Sequence, residues 1–322
     1  VHRLIFVGDP RQLPPIGAGR PFADVIARLQ PQDIETCFPR VGPGYAELTV
    51  PRRQGAGERE DLQLAAWFGG GVLGPGEDQV FEILAGQRSS HTIQFVRWDT
   101  PDELEALLPI SLAAALQFNP QQVEWQAFAC SLGGQQSGDH VYFNRSRSGQ
   151  RAEAWQLLSP VRQTPWGVDT LNRTIHVRYK APQLEVARAR VMPWKRRLPQ
   201  PFGDDQIIYG DKVINVRNQS IGQQRIYPKP AERGYLANGE IGIAIGQIRT
   251  KSFKYEPKTL QVEFSTQPGI SFEFYAPKGD DDDFSLELAY ALTVHKAQGS
   301  EFDVVFLVLP SSPQVLTREL LY

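Results

Sequence analysis

The segment YALTVHKAQGSEFDVVFLVLP, residues 290–310, sets a dense polar cluster between two apolar runs. The second run, residues 304–309, is continuous and rich in β-branched side chains. It reads as a strand buried on both faces, as in a parallel α/β sheet. Ahead of it Thr293, His295, Lys296, Gln298, Gly299, Ser300 and Glu301 crowd into nine residues. Polar side chains held between strand-like runs belong at the mouth of an α/β sheet, where ligands bind. A solvated loop would also be polar, but these are contact-making residue types.

A similar arrangement opens the chain. Leu4, Ile5, Phe6 and Val7 form a short apolar strand pattern that ends in Gly8-Asp9. Asp9 and Gln12 therefore fall just beyond the carboxyl end of a strand, on a loop stiffened by prolines. A plain loop with an aspartate cap accounts for Asp9 but not for Gln12 between prolines. Helical spacing of Phe22, Val25, Ile26 and Leu29 predicts a helix over 22–29. Residues 30–44 suit a hinge, 46–50 a strand and 61–68 a helix. The glycine-rich stretch 69–76 lacks the lysine and hydroxyl of a phosphate-binding loop, so it reads as an exposed turn. A strand is expected over 92–98 and a helix over 102–116, with Leu104, Leu107, Leu108, Leu112 and Leu116 on one face.

Further on, residues 153–158 lead into Ser159-Pro160-Val161-Arg162, and residues 167–172, GVDTLN, open a helix. Between Arg173 and Arg197 lie eight cations with Trp194 among them. Charge for phosphates and a ring for stacking suit single-stranded nucleic acid; a solvated helix face accounts for the same residues. Residues 211–216, 239–248, 260–264 and 270–275 read as strands, the last three as a small β-module of SH3-like barrel size. The acidic run Asp280 to Asp283 reads as a solvated loop.

At 322 residues the chain has room for two domains, and 41% hydrophobic with 22% charged residues is ordinary for a globular protein. A net charge of −2 means that any polyanion site must be a local patch. Cys37 and Cys130 are the only cysteines. That excludes a disulfide framework and makes a reducing cytoplasm the expected location. His2, His91, His140, His176 and His295 show no metal-ligand spacing, so no metal site is expected among them. No apolar run approaches the ~20 residues of a membrane span, and no membrane partner is expected. Strand-like sequence at Val1 and apolar sequence at Tyr322 contrast with the usual polar, frayed termini. The sequence is therefore expected to be a fragment.

Three separated pieces resemble superfamily 1 helicase motifs. Residues 8–15, GDPRQLPP, resemble motif III; residues 48–54, LTVPRRQ, are similar to motif IV; residues 293–302, TVHKAQGSEF, resemble motif V. SPVR at 159–162 with GVDTLN at 167–172 resembles the segment before the inserted domain of RecD-like helicases. The β-module after NGEIG, 238–242, resembles that branch's SH3-like insertion. The resemblance implies an α/β fold in which residues 1–35 end a first RecA-like lobe. A second RecA-like lobe of P-loop-NTPase type, with a UvrD-like C-terminal helicase domain, would take 36–236 and 285–322, and the insertion 237–284.

It also implies roles. Gln12 would sense the γ-phosphate, and Arg53 would set guanidinium charge against the developing phosphoryl charge. Arg52 departs from the family's usual aromatic. Asp9 and Gly299 join the implied nucleotide site, with Glu301 on the ribose. Thr293 and His295 would meet the DNA backbone, together with Lys296, Ser159, Arg162 and Asn172. The implied cofactors are ATP and Mg²⁺. The implied partner is single-stranded DNA or DNA with a single-stranded tail, in repair or recombination. The whole protein would be an ATP-dependent DNA helicase moving 5′ to 3′, with a non-catalytic DNA-binding scaffold as the alternative. No G-x-x-x-x-G-K-[ST], no Walker B pair and no final arginine motif occur in the sequence. The 322 residues alone are therefore expected not to hydrolyse ATP, and the Mg²⁺ ligands are expected outside them.

Overall fold

Pro21 starts the first helix, α1 (Pro21–Leu29), as its fixed φ and missing N–H allow, and Asp24 and Arg28 lie at the ends that the helix dipole favours. The computed structural model to which it belongs describes residues 3–14, 19–48, 60–69, 80–144, 148–190, 198–246, 259–275, 284–311 and 316–321. The chain divides into two units, Val1–Arg97 with Ser312–Tyr322, and Trp98–Ser311.

In the first unit a two-residue hairpin, β1 (Val41–Gly42) and β2 (Tyr45–Ala46), follows α1. Two helices come next, α2 (Glu60–Phe68) and α3 (Val80–Leu84). Trp67 meets Phe68 and Phe81 edge-on, each at 4.9 Å between ring centroids. The expected strand over 46–50 is confined to the hairpin, and 49–50 lie outside the described residues. Residues 4–7 are a correction. They form no strand, and Leu4 is 79% and Val7 91% exposed. An apolar tetrapeptide becomes a buried strand only where neighbours pair its N–H and C=O groups, and among the described residues none does. Residues 92–98 likewise form no strand.

The second unit begins with α4 (Pro101–Ala115). Thr100 and Glu103 exchange side-chain and backbone hydrogen bonds in a capping box, and Leu104, Leu108 and Leu112 are buried. Helix α5 (Glu124–Ser131) and the hairpin β3 (Gln135–Ser137) and β4 (His140–Tyr142) follow. Strand β5 (Trp155–Ser159) is almost wholly buried and leads to the long helix α6 (Val168–Arg188). Phe128 of α5 stacks on Tyr179 of α6 at 4.1 Å, and Trp155 stacks on Tyr290 at 6.4 Å. Each such buried ring is worth about 1.5–3 kcal/mol.

An antiparallel segment comes next: β6 (Lys212–Asn215), β7 (Gln219–Ile221), β8 (Ile226–Tyr227), β9 (Gly234–Leu236), β10 (Ile241–Gly246), β11 (Thr259–Phe264), β12 (Ser271–Tyr275) and β13 (Leu286–Leu288). Six of these strands make one sheet in the order β13-β6-β10-β11-β12-β8, while β7 pairs β9. This sheet starts earlier than residue 237 and ends later than residue 284, because β6, β8 and β13 are strands of it.

After only Ala289 and Tyr290 the chain enters a second sheet. Strand β14 (Ala291–Thr293) and, after the one-turn helix α7 (Val294–Ala297), strand β15 (Val304–Leu307) flank β5, all parallel. Thr293 stands beside Ser159, and Leu307 beside Leu158. The expectation that the 304–309 run is buried on both faces is corrected here. Strand β15 lies at the sheet's edge, with Val305 48% and Leu307 41% exposed.

The basic stretch 173–197 divides. Arg178 forms an exposed pair with Glu124 at 3.0 Å. Lys180 is buried, its ammonium donating to Gly210 O at 2.6 Å. Residues 191–197, Trp194 among them, lie outside the described residues.

Candidate nucleic-acid interface

The carboxyl ends of β14 and β5 place several of the expected side chains in one neighbourhood. Thr293 ends β14 in extended conformation, and its hydroxyl oxygen accepts the Lys296 N–H at 3.3 Å, starting α7. That use of a lone pair leaves the hydroxyl proton to donate. His295, on the same short helix, is exposed. Lys296 Nζ donates to Glu287 Oε2 at 3.0 Å. Arg162, on the loop after β5, reaches the same oxygen through Nη2 at 3.2 Å, and its Nε donates to Asp169 Oδ1 at 3.0 Å. Partial burial works to lower the Arg162 pKa, but the charges of Glu287 and Asp169 outweigh it and raise it. Asp205 completes the surroundings. Its carboxylate accepts the Leu288 N–H at 2.9 Å, and burial first, then the neighbouring charge of Glu287, raises its pKa against that hydrogen bond.

Two residues expected to face DNA do not. Ser159 is fully buried; its Oγ donates to Trp166 O at 3.0 Å and accepts from Val161 N at 3.4 Å, closing the loop that carries Arg162. Asn172 is also buried. Its Nδ2 donates to Leu288 O at 3.2 Å and Ala291 O at 3.0 Å, and its Oδ1 accepts from Ala291 N at 2.8 Å. It latches α6 to the β13–β14 connection. The helix period places Asn172 on the packed face of α6, which residue type alone does not reveal. Asn172→Ala is expected to cost about 2–3 kcal/mol by orphaning those backbone groups, while oligonucleotide affinity per folded molecule stays as in the wild type. Urea denaturation and binding measured on one preparation check this. Unchanged stability with weakened binding would reverse the assignment.

The residues expected at nucleotide are placed as follows. Gly299 is exposed with φ +88°, in the left-handed region that favours glycine, and open space surrounds the position of an added Cβ. Glu301 is exposed on the same loop before β15. Asp9 and Gln12 belong to the first unit, where the Asp9 carboxylate accepts from Arg11 N at 2.9 Å and Asp9 O accepts from Gln12 N at 3.3 Å, making a tight turn. Arg53 lies outside the described residues. Among the described residues no group of His, Cys, Asp and Glu has the arrangement to hold a metal ion, and no helix is long and apolar enough to cross a membrane. Glu287 is the residue that sequence reasoning passed over. Its signal was a single carboxylate inside the apolar run SLELAYAL, which the period-2 alternation of a strand sets on the face opposite Leu286 and Leu288.

Residues 288–322 match the model of the UvrD-like helicase C-terminal domain, a span that begins at the end of β13 and takes in β14, α7 and β15. An uncharacterized protein of Methanocaldococcus jannaschii is 25% identical over 99% of this chain and 25% of its own length. The ATP-dependent RecD2 DNA helicase of Deinococcus radiodurans is 27% identical over 52% of this chain and 18% of its own length. The chain thus spans a quarter or less of the curated relatives it matches. A crystal structure of Pif1 helicase from Bacteroides with ADP-AlF3 and ssDNA aligns with 78% of this chain and 56% of that one, at 15% identity and a TM-score of 0.27, a likeness too slight to carry any argument. The chain is thus similar to the UvrD-like helicase C-terminal domain over residues 288–322 and to the RecD2 helicase over about half of its length.

Proposed function

We propose that this chain is part of an ATP-dependent DNA helicase of the RecD-like branch, moving 5′ to 3′ along single-stranded DNA. One observation carries the reading: the segment that matches the UvrD-like helicase domain ends a parallel strand at Thr293. There a hydroxyl, the exposed His295 and the cations Lys296 and Arg162 gather at the carboxyl edge of the sheet. Neutral and cationic donors of that kind suit phosphate oxygens. In the same reading Gln12, Arg53, Asp9, Gly299 and Glu301 serve the nucleotide, and the antiparallel sheet is the SH3-like insertion. ATP and Mg²⁺ are the proposed cofactors. ATP supplies the phosphoryl group whose transfer drives movement. Among the described residues the donor sets do not compose a Mg²⁺ site, and no phosphate-binding loop occurs in the sequence. The phosphate-binding loop would have to come from sequence outside these residues.

The test is direct. Thr293→Ala combined with His295→Ala is expected to weaken binding of a fluorescent oligo-dT by about tenfold at low salt. It should also flatten the salt dependence by about 0.7 in logarithmic slope for each phosphate that the protein no longer engages. Titrations between low and moderate salt measure both quantities. Affinity and slope equal to wild type would refute the placement of DNA here.

A further inference from the structure

The two cations at this edge are partly open to solvent and yet electrically spent. Arg162 and Lys296 keep 48% and 34% of their side-chain surface open, but both donate to the one oxygen Glu287 Oε2, and Asp169 holds the other side of the guanidinium. Two positive charges therefore face two carboxylates, with Asp205 a third beside them when ionised. Cations contribute to phosphate affinity chiefly by releasing condensed counterions from the nucleic acid. A cation already neutralised by a fixed carboxylate has little to offer until that carboxylate is displaced. The three groups come from three elements: Glu287 from β13, Arg162 from the loop after β5, and Lys296 from α7. Phosphate arriving at either cation must compete with the same oxygen.

We infer that Glu287 is a built-in competitor of the phosphodiester backbone, an autoinhibitory contact that keeps Arg162 and Lys296 occupied until a phosphate replaces it. The inference rests on the reading that this edge meets nucleic acid. In it, Glu287 sets the affinity low and makes grip depend on an exchange of ion pairs. A purely structural Glu287 would behave otherwise, because the two cations would lose their positions with it.

The experiment compares wild type, Glu287→Gln and Glu287→Asp as the full 322-residue chain, using a fluorescent oligo-dT across a salt series, with thermal unfolding as a check on folding. Glu287→Gln keeps the shape and removes the charge. It is expected to bind about 3- to 10-fold more tightly at low salt, with a logarithmic salt slope steeper by about 0.7 for each cation released. Glu287→Asp keeps the charge and is expected to retain the wild-type slope. Wild-type binding together with unchanged or weaker binding by Glu287→Gln overturns the inference alone. So does a Glu287→Asp slope as steep as that of Glu287→Gln. Absence of binding by every variant and by wild type overturns the nucleic-acid reading and the inference with it.

Discussion

Asp211→Asn is expected to destabilise the second unit by about 3–5 kcal/mol, the range found when one partner of a buried ion pair is removed. Asp211 is fully buried just ahead of β6. One carboxylate oxygen lies 2.9 Å from His176 Nε2 and accepts the Ile208 N–H at 2.7 Å; the other accepts the Tyr290 hydroxyl at 2.7 Å, with Lys180 Nζ at 3.8 Å. Burial works to raise the Asp211 pKa, but His176, Lys180 and the Ile208 N–H prevail and hold it below the ordinary 3.8. Its contribution to stability is therefore present above pH 3.8 and is lost as the pH falls through the lower folded value. An asparagine cannot accept on both sides and leaves the Lys180 ammonium without its counter-charge. Adding Lys180→Met should recover part of the loss. Denaturant midpoints at pH 7 read the effect, and a change under about 1 kcal/mol would show that the network does not hold α6 to the sheets.

Lys212→Met is expected to act in the opposite direction. The Lys212 ammonium is fully buried, donates to Trp155 O, and lies 4.9 Å from the Trp155 ring and 5.8 Å from that of Phe302. Burial drives its pKa from 10.5 down to about 7, opposed only by the charge of Glu153. Between about pH 7 and 10.5 the unfolded chain holds a proton that the folded chain has released, so stability rises with pH across that window. Below pH 7 the full penalty remains, about 5 kcal/mol as a ceiling at 1.36 kcal/mol per pH unit. Methionine removes that penalty but leaves Trp155 O without its donor, so a net gain of about 1–4 kcal/mol is expected at pH 6.5. The difference between variant and wild type should shrink toward pH 9.5. Lys180, whose pKa is lowered by burial to about 8, slopes the same way in both proteins and cancels in the comparison. A variant less stable than wild type at pH 6.5 would contradict this account.

Much of the second unit was legible because its signals are local and periodic. The leucine spacing of α4, the helix opened by GVDTLN and the alternation of β10 to β12 each specify an element from neighbours in sequence. What failed depends on partners distant in sequence. Residues 4–7 and 92–98 have strand-like composition, but composition does not supply a pairing neighbour. The apolar run of β15 looks doubly buried until the sheet order puts it at an edge. The candidate site shows the same division. Thr293, Lys296 and Arg162 were visible as residue types after strands. The inward turn of Asn172 and the meeting of Glu287 with Arg162 follow from contacts across more than a hundred residues, while Ser159 turns inward to close its own loop.

Strands β13 and β14 belong to different sheets, yet two residues separate them. Two extended residues span at most about 7 Å, and both ends of this link are tied: Ala289 N–H donates to Lys212 O at the β13 end, and Ala291 N–H donates to Asn172 at the β14 end. The connection is a tie rod without slack. A strand slips only in whole residues, and each such step turns its side chains to the wrong face. The register of β14 on β5 therefore cannot absorb a small pull by creeping. The position of β13 in the antiparallel sheet and the place of Thr293 beside Ser159 are therefore fixed through one short link.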